Sequence, residues 1–189
     1  MKYLLDNQET ERLRFRLVTK DDFESWVPLF NNKEVPLFFN MNPNTQAKEL
    51  CNIWFKKVFE RYENNLGGMN ALIDKNSGKL IGQSGLLIQT VADIKRIEVA
   101  YSILPEYWNM GYASEASAKC RDFAFKNNLT DSLISIVHED NTNSRKVALK
   151  NGMSLETQIK SDNKNSTKVF DVFSITRSEW EKKFATNSK

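Results

Sequence analysis

Between residues 96 and 115 the chain reads Arg-Ile-Glu-Val-Ala-Tyr-Ser-Ile-Leu-Pro-Glu-Tyr-Trp-Asn-Met-Gly-Tyr-Ala-Ser-Glu. The first half is a β-branched and aromatic run that stops at Leu104-Pro105, and Gly111 opens a stretch with helical spacing. A strand feeding a glycine turn at a helix start aims backbone N–H groups at one spot, where the helix dipole favours negative charge. The segment therefore reads as a phosphate cradle. The strand–helix–strand step across residues 96–137 also demands parallel neighbours joined by a right-handed crossover.

The flanking sequence fills in the rest of an α/β (α+β) fold. Arg12–Val18 alternates as a half-buried strand, and Thr19-Lys20-Asp21-Asp22 opens a helix with Phe23, Trp26, Val27 and Phe30 on one face. Glu34–Pro43 holds two prolines and reads as loop. Ala47 to Tyr62 carries apolar residues at three and four spacing and predicts a long amphipathic helix, ended by Asn64–Gly68. Strands are expected at Met69–Ile73, Leu80–Gln89 and Arg96–Leu104, the first two joined by a turn at Asn76-Ser77-Gly78-Lys79, giving an antiparallel meander. Helix Tyr112–Asn127, strand Ser132–Val137 and helix Thr142–Asn151 follow, with Gly152 as a C-terminal glycine. Strands Ser154–Lys160 and Lys168–Ile175 flank a polar turn at Ser161–Ser166. Arg177–Phe184 is a short helix or tail, and the residues after it are polar. The sum is a mixed central sheet of about seven strands with helices on both faces.

Length and composition narrow the class. A chain of 189 residues suits a single domain spanning 1–189, and 40% hydrophobic with 27% charged residues is ordinary for a soluble globular protein. A net charge of +3, with no basic stripe interleaved with aromatics, argues against DNA or a nucleic-acid module. Cys51 and Cys120 lie far apart, as expected for a reducing cytoplasm, and with a single histidine they make no familiar zinc site. No apolar run reaches about 18 residues, so neither a membrane span nor a signal peptide is expected.

Glu98-Val99-Ala100-Tyr101 followed by Pro105-Glu106-Tyr107-Trp108-Asn109-Met110-Gly111-Tyr112-Ala113-Ser114-Glu115-Ala116 resembles the central motif of the GCN5-related N-acetyltransferases (GNAT superfamily). Within it, the chain is most similar to the RimJ/RimL-like ribosomal-protein-alanine acetyltransferase branch. Asn141-Thr142-Asn143-Ser144 with Val147 and Gly152 resembles that branch's second motif, and Thr10-Glu11-Arg12-Leu13-Arg14 its opening segment. The match spans roughly residues 8–176. Asn109 stands where a glycine is common, and Met153 where a Phe follows the glycine, a core exchange of similar volume.

The resemblance implies a GNAT fold, acetyl-CoA as co-substrate, no metal, and acetyl transfer to a primary amine by direct attack through a tetrahedral intermediate. The acceptor is a protein N-terminus or a small-molecule amine, no membrane partner is implied, and the protein is a monomer or homodimer. The diphosphate would accept from N–H groups of Met110, Gly111, Tyr112, Ala113 and Ser114, and the pantetheine arm would lie along Ser102, Ile103 and Leu104, where the strands at 96–104 and 132–137 splay. An oxyanion donor near Val99–Tyr101 is expected if that strand is bulged.

In a regular strand Glu98, Ala100 and Ser102 share one face, and Val99, Tyr101 and Ile103 the other. Glu98 is the candidate base, or else a structural carboxylate bonded to backbone or Arg96. The branch pattern makes Ser144 the proton donor to sulfur; the alternative is a first-turn serine. Asn141 suits both a helix cap and the pantetheine arm. His138 is either a proton relay or a surface residue. Tyr107 and Trp108 either shield the cofactor or pack, and Trp54, Phe55, Phe59 and Tyr62 either wall the acceptor cleft or fill core. The competing function is a non-catalytic acyl-CoA-binding sensor or scaffold.

Overall fold

The computed structural model describes residues 2–163 and 166–184. Its strands are β1 (Leu13–Leu17), β2 (Gly67–Asp74), β3 (Leu80–Val91), β4 (Ile94–Ile103), β5 (Ser132–His138), β6 (Ser154–Asn163) and β7 (Ser166–Thr176). They form one seven-stranded sheet in the order β1-β2-β3-β4-β5-β7-β6. Every neighbouring pair is antiparallel except β4–β5, the parallel step expected from the sequence.

The helices are α1 (Phe23–Trp26), α2 (Val35–Phe38), α3 (Ala47–Glu63), α4 (Tyr112–Lys126), α5 (Thr142–Lys150) and α6 (Arg177–Phe184). Period-two alternation sends Leu13, Phe15, Val99 and Leu133 to one face, where they meet Ala116, Cys120, Ala148 and Trp180 of α4, α5 and α6. Met69, Ala71 and Leu87 go to the other face, against Trp26, Val35, Leu50 and Phe55 of α1, α2 and α3. Gly85 permits the tight β2–β3 seam, since a Cβ there would overlap the carbonyl oxygen of Gly68.

The elements depart from expectation in several places. The helix begun at Phe23 gives way after Trp26 to a 3-10 helix at Val27–Asn31. Gly67 and Gly68, expected to end a helix, begin β2, and residues 161–163 and Ser166, expected as turn, belong to β6 and β7. Glu34–Pro43, expected as loop, contains α2, with Pro36 in its first turn, where a missing N–H costs no helical hydrogen bond. The β3–β4 hairpin closes more tightly than expected: Ala92 and Asp93 take φ of 48° and 62° as a two-residue turn, so β3 runs on to Val91 and β4 starts at Ile94. Arg177–Phe184 takes the helical of its two expected forms, started where Thr176 N–H and Oγ1 both donate to Glu179 (2.8 and 2.7 Å). Residues 164 and 165 of the polar turn, and the polar residues after Phe184, lie outside the described residues. Among the described residues no helix is long and apolar enough to cross a membrane.

Phe125 shows how the α4 face is held. It is 1% exposed, its ring lies 5.3 Å from Trp180, and its carbonyl accepts from the Arg177 guanidinium at 2.7 Å. Phe125→Ala is expected to cost about 3–5 kcal/mol in urea unfolding. A loss below about 1 kcal/mol would mean that this corner relaxes around the void.

Candidate active site

The segment after β4 is fixed from both sides. A 3-10 turn at Pro105–Tyr107 leads into Trp108, whose indole N–H donates to the Ile103 carbonyl at 2.6 Å. Asn109 sits at φ 61° and Gly111 at φ 83°. Asparagine is among the few non-glycine residues that tolerate this region, which is why the loop forms with Asn109 where a glycine is common. Gly111 caps α4 without a side-chain acceptor, so the first N–H groups of the helix have no partner within it.

Arg12, at the start of β1, locks this loop. Its guanidinium bonds Glu115 at 2.6 Å and the Met110 carbonyl at 3.0 Å, and lies 4.2 Å from the Tyr112 ring centre. Arg12 N–H and the Thr10 hydroxyl donate to the same Glu115 carboxylate. Burial works to raise the Glu115 pKa, but these donors outweigh it and hold the carboxyl below its ordinary value.

The parallel pair β4–β5 is short. It holds at Ile97–Leu133 and Glu98–Ile134, and beyond that point the strands part. Leu104 N–H bonds Ile81 at 2.9 Å, so ladder alternation turns the N–H groups of Tyr101 and Ile103 away from β3 and into the gap. The Val99 carbonyl on that edge is taken by the Ser135 hydroxyl at 2.8 Å. The β3–β4 register is unbroken from Gly82–Ile103 to Val91–Ile94, so the bulge that the oxyanion reading called for is not there. The parting of β4 from β5 exposes the Tyr101 N–H instead.

Glu98 sits where the strands divide. Its carboxylate is buried, accepts from Gln89 Nε2 at 2.7 Å, and lies 3.4 Å from the Ile136 N–H that the parting leaves without a β4 partner. Burial pushes its pKa up, against the opposing pull of Gln89, Ile136 and Arg61. Arg61 of α3 completes the chain, donating to Gln89 Oε1 at 3.0 Å and to the carbonyls of Leu66 and Ile88 at 3.1 Å. Arg96, named as a possible partner for Glu98, is engaged by Glu156 at 2.8 and 2.9 Å.

Opposite, α5 begins at Asn141, whose Oδ1 accepts from Ser144 N–H at 3.0 Å as an N-cap. The Tyr101 hydroxyl reaches across the gap to the Ser144 carbonyl at 2.8 Å. On its far side the helix is tied down by Arg145, paired with the fully buried Asp171 of β7, which also accepts from Gln158 at 2.8 Å.

Two cavities meet here. One, of about 360 Å³, runs between the starts of α4 and α5 and is lined by Ser102, Ile103, Gly111, Tyr112, Ala113, Ser114, Asn141 and Ser144. Tyr107 and Trp108 also line it. Of the cofactor residues expected from the sequence, Leu104 and Met110 are not in its wall; Leu104 turns to β3, and the Met110 carbonyl is held by Arg12. The second cavity, of about 760 Å³, lies over Glu98 on the α3 side. Phe38, Phe39, Tyr101, Asn141 and Ser144 line both, so a group lying in one can reach the other at this point.

Residues 12–154 match the family described as Acetyltransferase (GNAT) domain. The chain belongs to this family. A relative described as the uncharacterized N-acetyltransferase YoaA of Bacillus subtilis is 28% identical over 148 residues, 78% of this chain and 82% of its own. An acetyltransferase structure from Agrobacterium tumefaciens superposes with a TM-score of 0.72 at 21% identity, covering 90% of this chain and 94% of that one. The spermidine N-acetyltransferase of Vibrio cholerae, solved with CoA and spermine, gives 0.68 at 19% identity over 90% and 99%. The mixed sheet and its parted strands are thus the GNAT fold.

Within this GNAT chain several site residues carry no sequence motif. Phe38 and Phe39 come from the segment expected as loop, and Gln89 and Arg61 acquire meaning only when the meander and α3 place them beside Glu98. Lys146 and Lys150, one turn apart on α5, line the smaller cavity; their four-residue spacing was the available signal. Of the α3 aromatics, Trp54 lines the larger cavity, while Phe55, Phe59 and Tyr62 pack in the core cluster. His138, weighed as a surface residue, is only 10% exposed at its side chain, lies between Phe38 and Phe170, and lines the larger cavity.

Proposed function

We propose that this protein transfers acetyl from acetyl-CoA to a primary amine by direct attack, with Glu98 as the base. The observation that carries the reading is the division of β4 from β5 at Glu98, which leaves a buried carboxylate in the wall of the larger cavity, and that cavity shares Tyr101, Asn141 and Ser144 with the smaller one. The motif order supports a place beside the ribosomal-protein-alanine branch.

The residues fit the donor. N–H groups at the start of α4 offer hydrogen bonds to a diphosphate, and the left-handed Gly111 keeps side-chain atoms off that approach. Lys146 and Lys150 add positive charge on the facing helix. The Tyr101 and Ile103 N–H groups suit the amide carbonyls of a pantetheine arm laid along the edge of β4. The thioester carbonyl then falls where the cavities join, with the Tyr101 N–H as the nearest backbone donor to a developing oxyanion.

An attacking amine must be neutral. Glu98, buried and with its pKa raised above the ordinary carboxylate value despite Gln89, Ile136 and Arg61, is a stronger base than an exposed carboxylate and is suited to take the amine's proton. As the carbon–sulfur bond breaks, Ser144 stands at the shared wall to protonate the thiolate. Ser144→Ala is expected to slow turnover about tenfold or more while acetyl-CoA affinity holds. An unchanged rate leaves Ser144 a helix-turn residue.

The reading is tested by amine-dependent release of free CoA thiol over a panel of primary amines and N-terminal peptides. Turnover with at least one acceptor is the expected result. Tight acetyl-CoA binding with silence across the panel would favour the sensor or scaffold instead.

A further inference from the structure

The walls of the larger cavity restrict which amine can enter, given the acetyltransferase reading above. Its volume of about 760 Å³ is that of a small-ligand site, and Phe38, Phe39, Trp54 and Phe170 form its aromatic side. The Phe39 and Trp54 rings meet edge to face at 4.8 Å, a fixed surface rather than a flexible one. Leu87 and Ile136 add aliphatic wall next to Glu98.

Charge is distributed unevenly around this apolar body. Glu98 is the buried carboxylate in its wall, three residues before Tyr101, which lines both cavities. The wall formed by α3 carries Lys57 and Arg61, one turn apart. Arg61 is spent on Gln89 and two backbone carbonyls, whereas Lys57 is exposed and makes no ion pair among the described residues. The remaining acid of that wall, Glu60, is exposed and lies 3.8 Å from Lys56.

We propose that the acceptor is a compact primary monoamine with an apolar body, and that the cavity selects against diamines, polyamines and peptide N-termini. A single nitrogen meets Glu98 while a ring or short chain lies against Phe39 and Trp54. A second ammonium would leave water for an aromatic and aliphatic wall with no buried carboxylate beside it, and with the exposed Lys57, a cation of its own sign, on the α3 wall.

The test is competition between acceptors that differ by one terminal ammonium. CoA-thiol release is measured with hexylamine and 2-phenylethylamine against 1,6-diaminohexane, spermidine and an N-terminal peptide. A kcat/KM about tenfold or more higher for the monoamines is expected. Lys57→Glu, at an exposed position, should narrow the hexylamine-to-diamine ratio about threefold or more without altering acetyl-CoA affinity. A diamine, spermidine or peptide used as well as the monoamines, or a ratio unmoved by Lys57→Glu, overturns the proposal. Acetyl-CoA binding, read first by calorimetry, separates the two levels. Absent binding, or binding with no acceptor turned over, defeats the acetyltransferase reading, whereas turnover of a diamine, spermidine or peptide but of no monoamine defeats this inference alone.

Discussion

Gly111→Asp should raise the dissociation constant for acetyl-CoA about 100- to 1,000-fold while leaving the fold intact. A carboxylate about 4 Å from a bound phosphate costs about 4 kcal/mol at an effective dielectric of 20, and each 1.4 kcal/mol is a factor of ten. The fold survives because Asp tolerates the left-handed region better than most residues, and an acid at a helix start suits the dipole. A Cβ at Gly111 meets only the Arg12 side chain, at 3.4 Å. Gly111→Ala isolates the strain at φ 83°, about 1–2 kcal/mol, so its expected loss is only about tenfold. Calorimetry with circular dichroism on both variants reads charge and strain apart. Equal losses for Ala and Asp would place the diphosphate away from this turn.

Glu98→Gln should lower kcat about 100-fold or more with little change in acetyl-CoA affinity. The wild-type rate should rise with pH as Glu98 loses its proton, and the Gln variant should lack that limb, keeping only the limb that follows the pKa of the acceptor amine. The same substitution should stabilise the protein. Burial raises the carboxyl pKa in the folded state, so the stability Glu98 contributes is full below the unfolded carboxylate pKa and is lost as pH rises through the folded value. Above that value Glu98→Gln should melt higher than wild type, and the gap should close in acid. A slower enzyme that melts lower at alkaline pH would point to a structural carboxylate rather than a base.

The parts of the fold written in local chemistry were legible. Alternation in Arg12–Val18, the Asn76–Lys79 turn and the glycine after α5 announced their elements because each depends on near neighbours. The Ala92–Asp93 turn was not visible, since nothing in an alanine signals a positive φ that the two strands impose on it. The face of Glu98 followed from period two alone. The chain from Arg61 through Gln89 to Glu98 did not, since it joins α3, β3 and β4 through tertiary packing. The opening Thr10–Arg14 segment was recognised as a pattern. Its physical reason, two residues gripping Glu115 and Met110 across the sheet edge, required the structure.

The most direct measurement is a crystal structure with CoA bound. The predicted result places the diphosphate on the N–H groups of Gly111–Ser114 and the pantetheine arm in the gap beyond Glu98, alongside Tyr101 and Ile103. A coenzyme held elsewhere, or β4 and β5 found paired through Ile103 and His138 with no room between them, would contradict it.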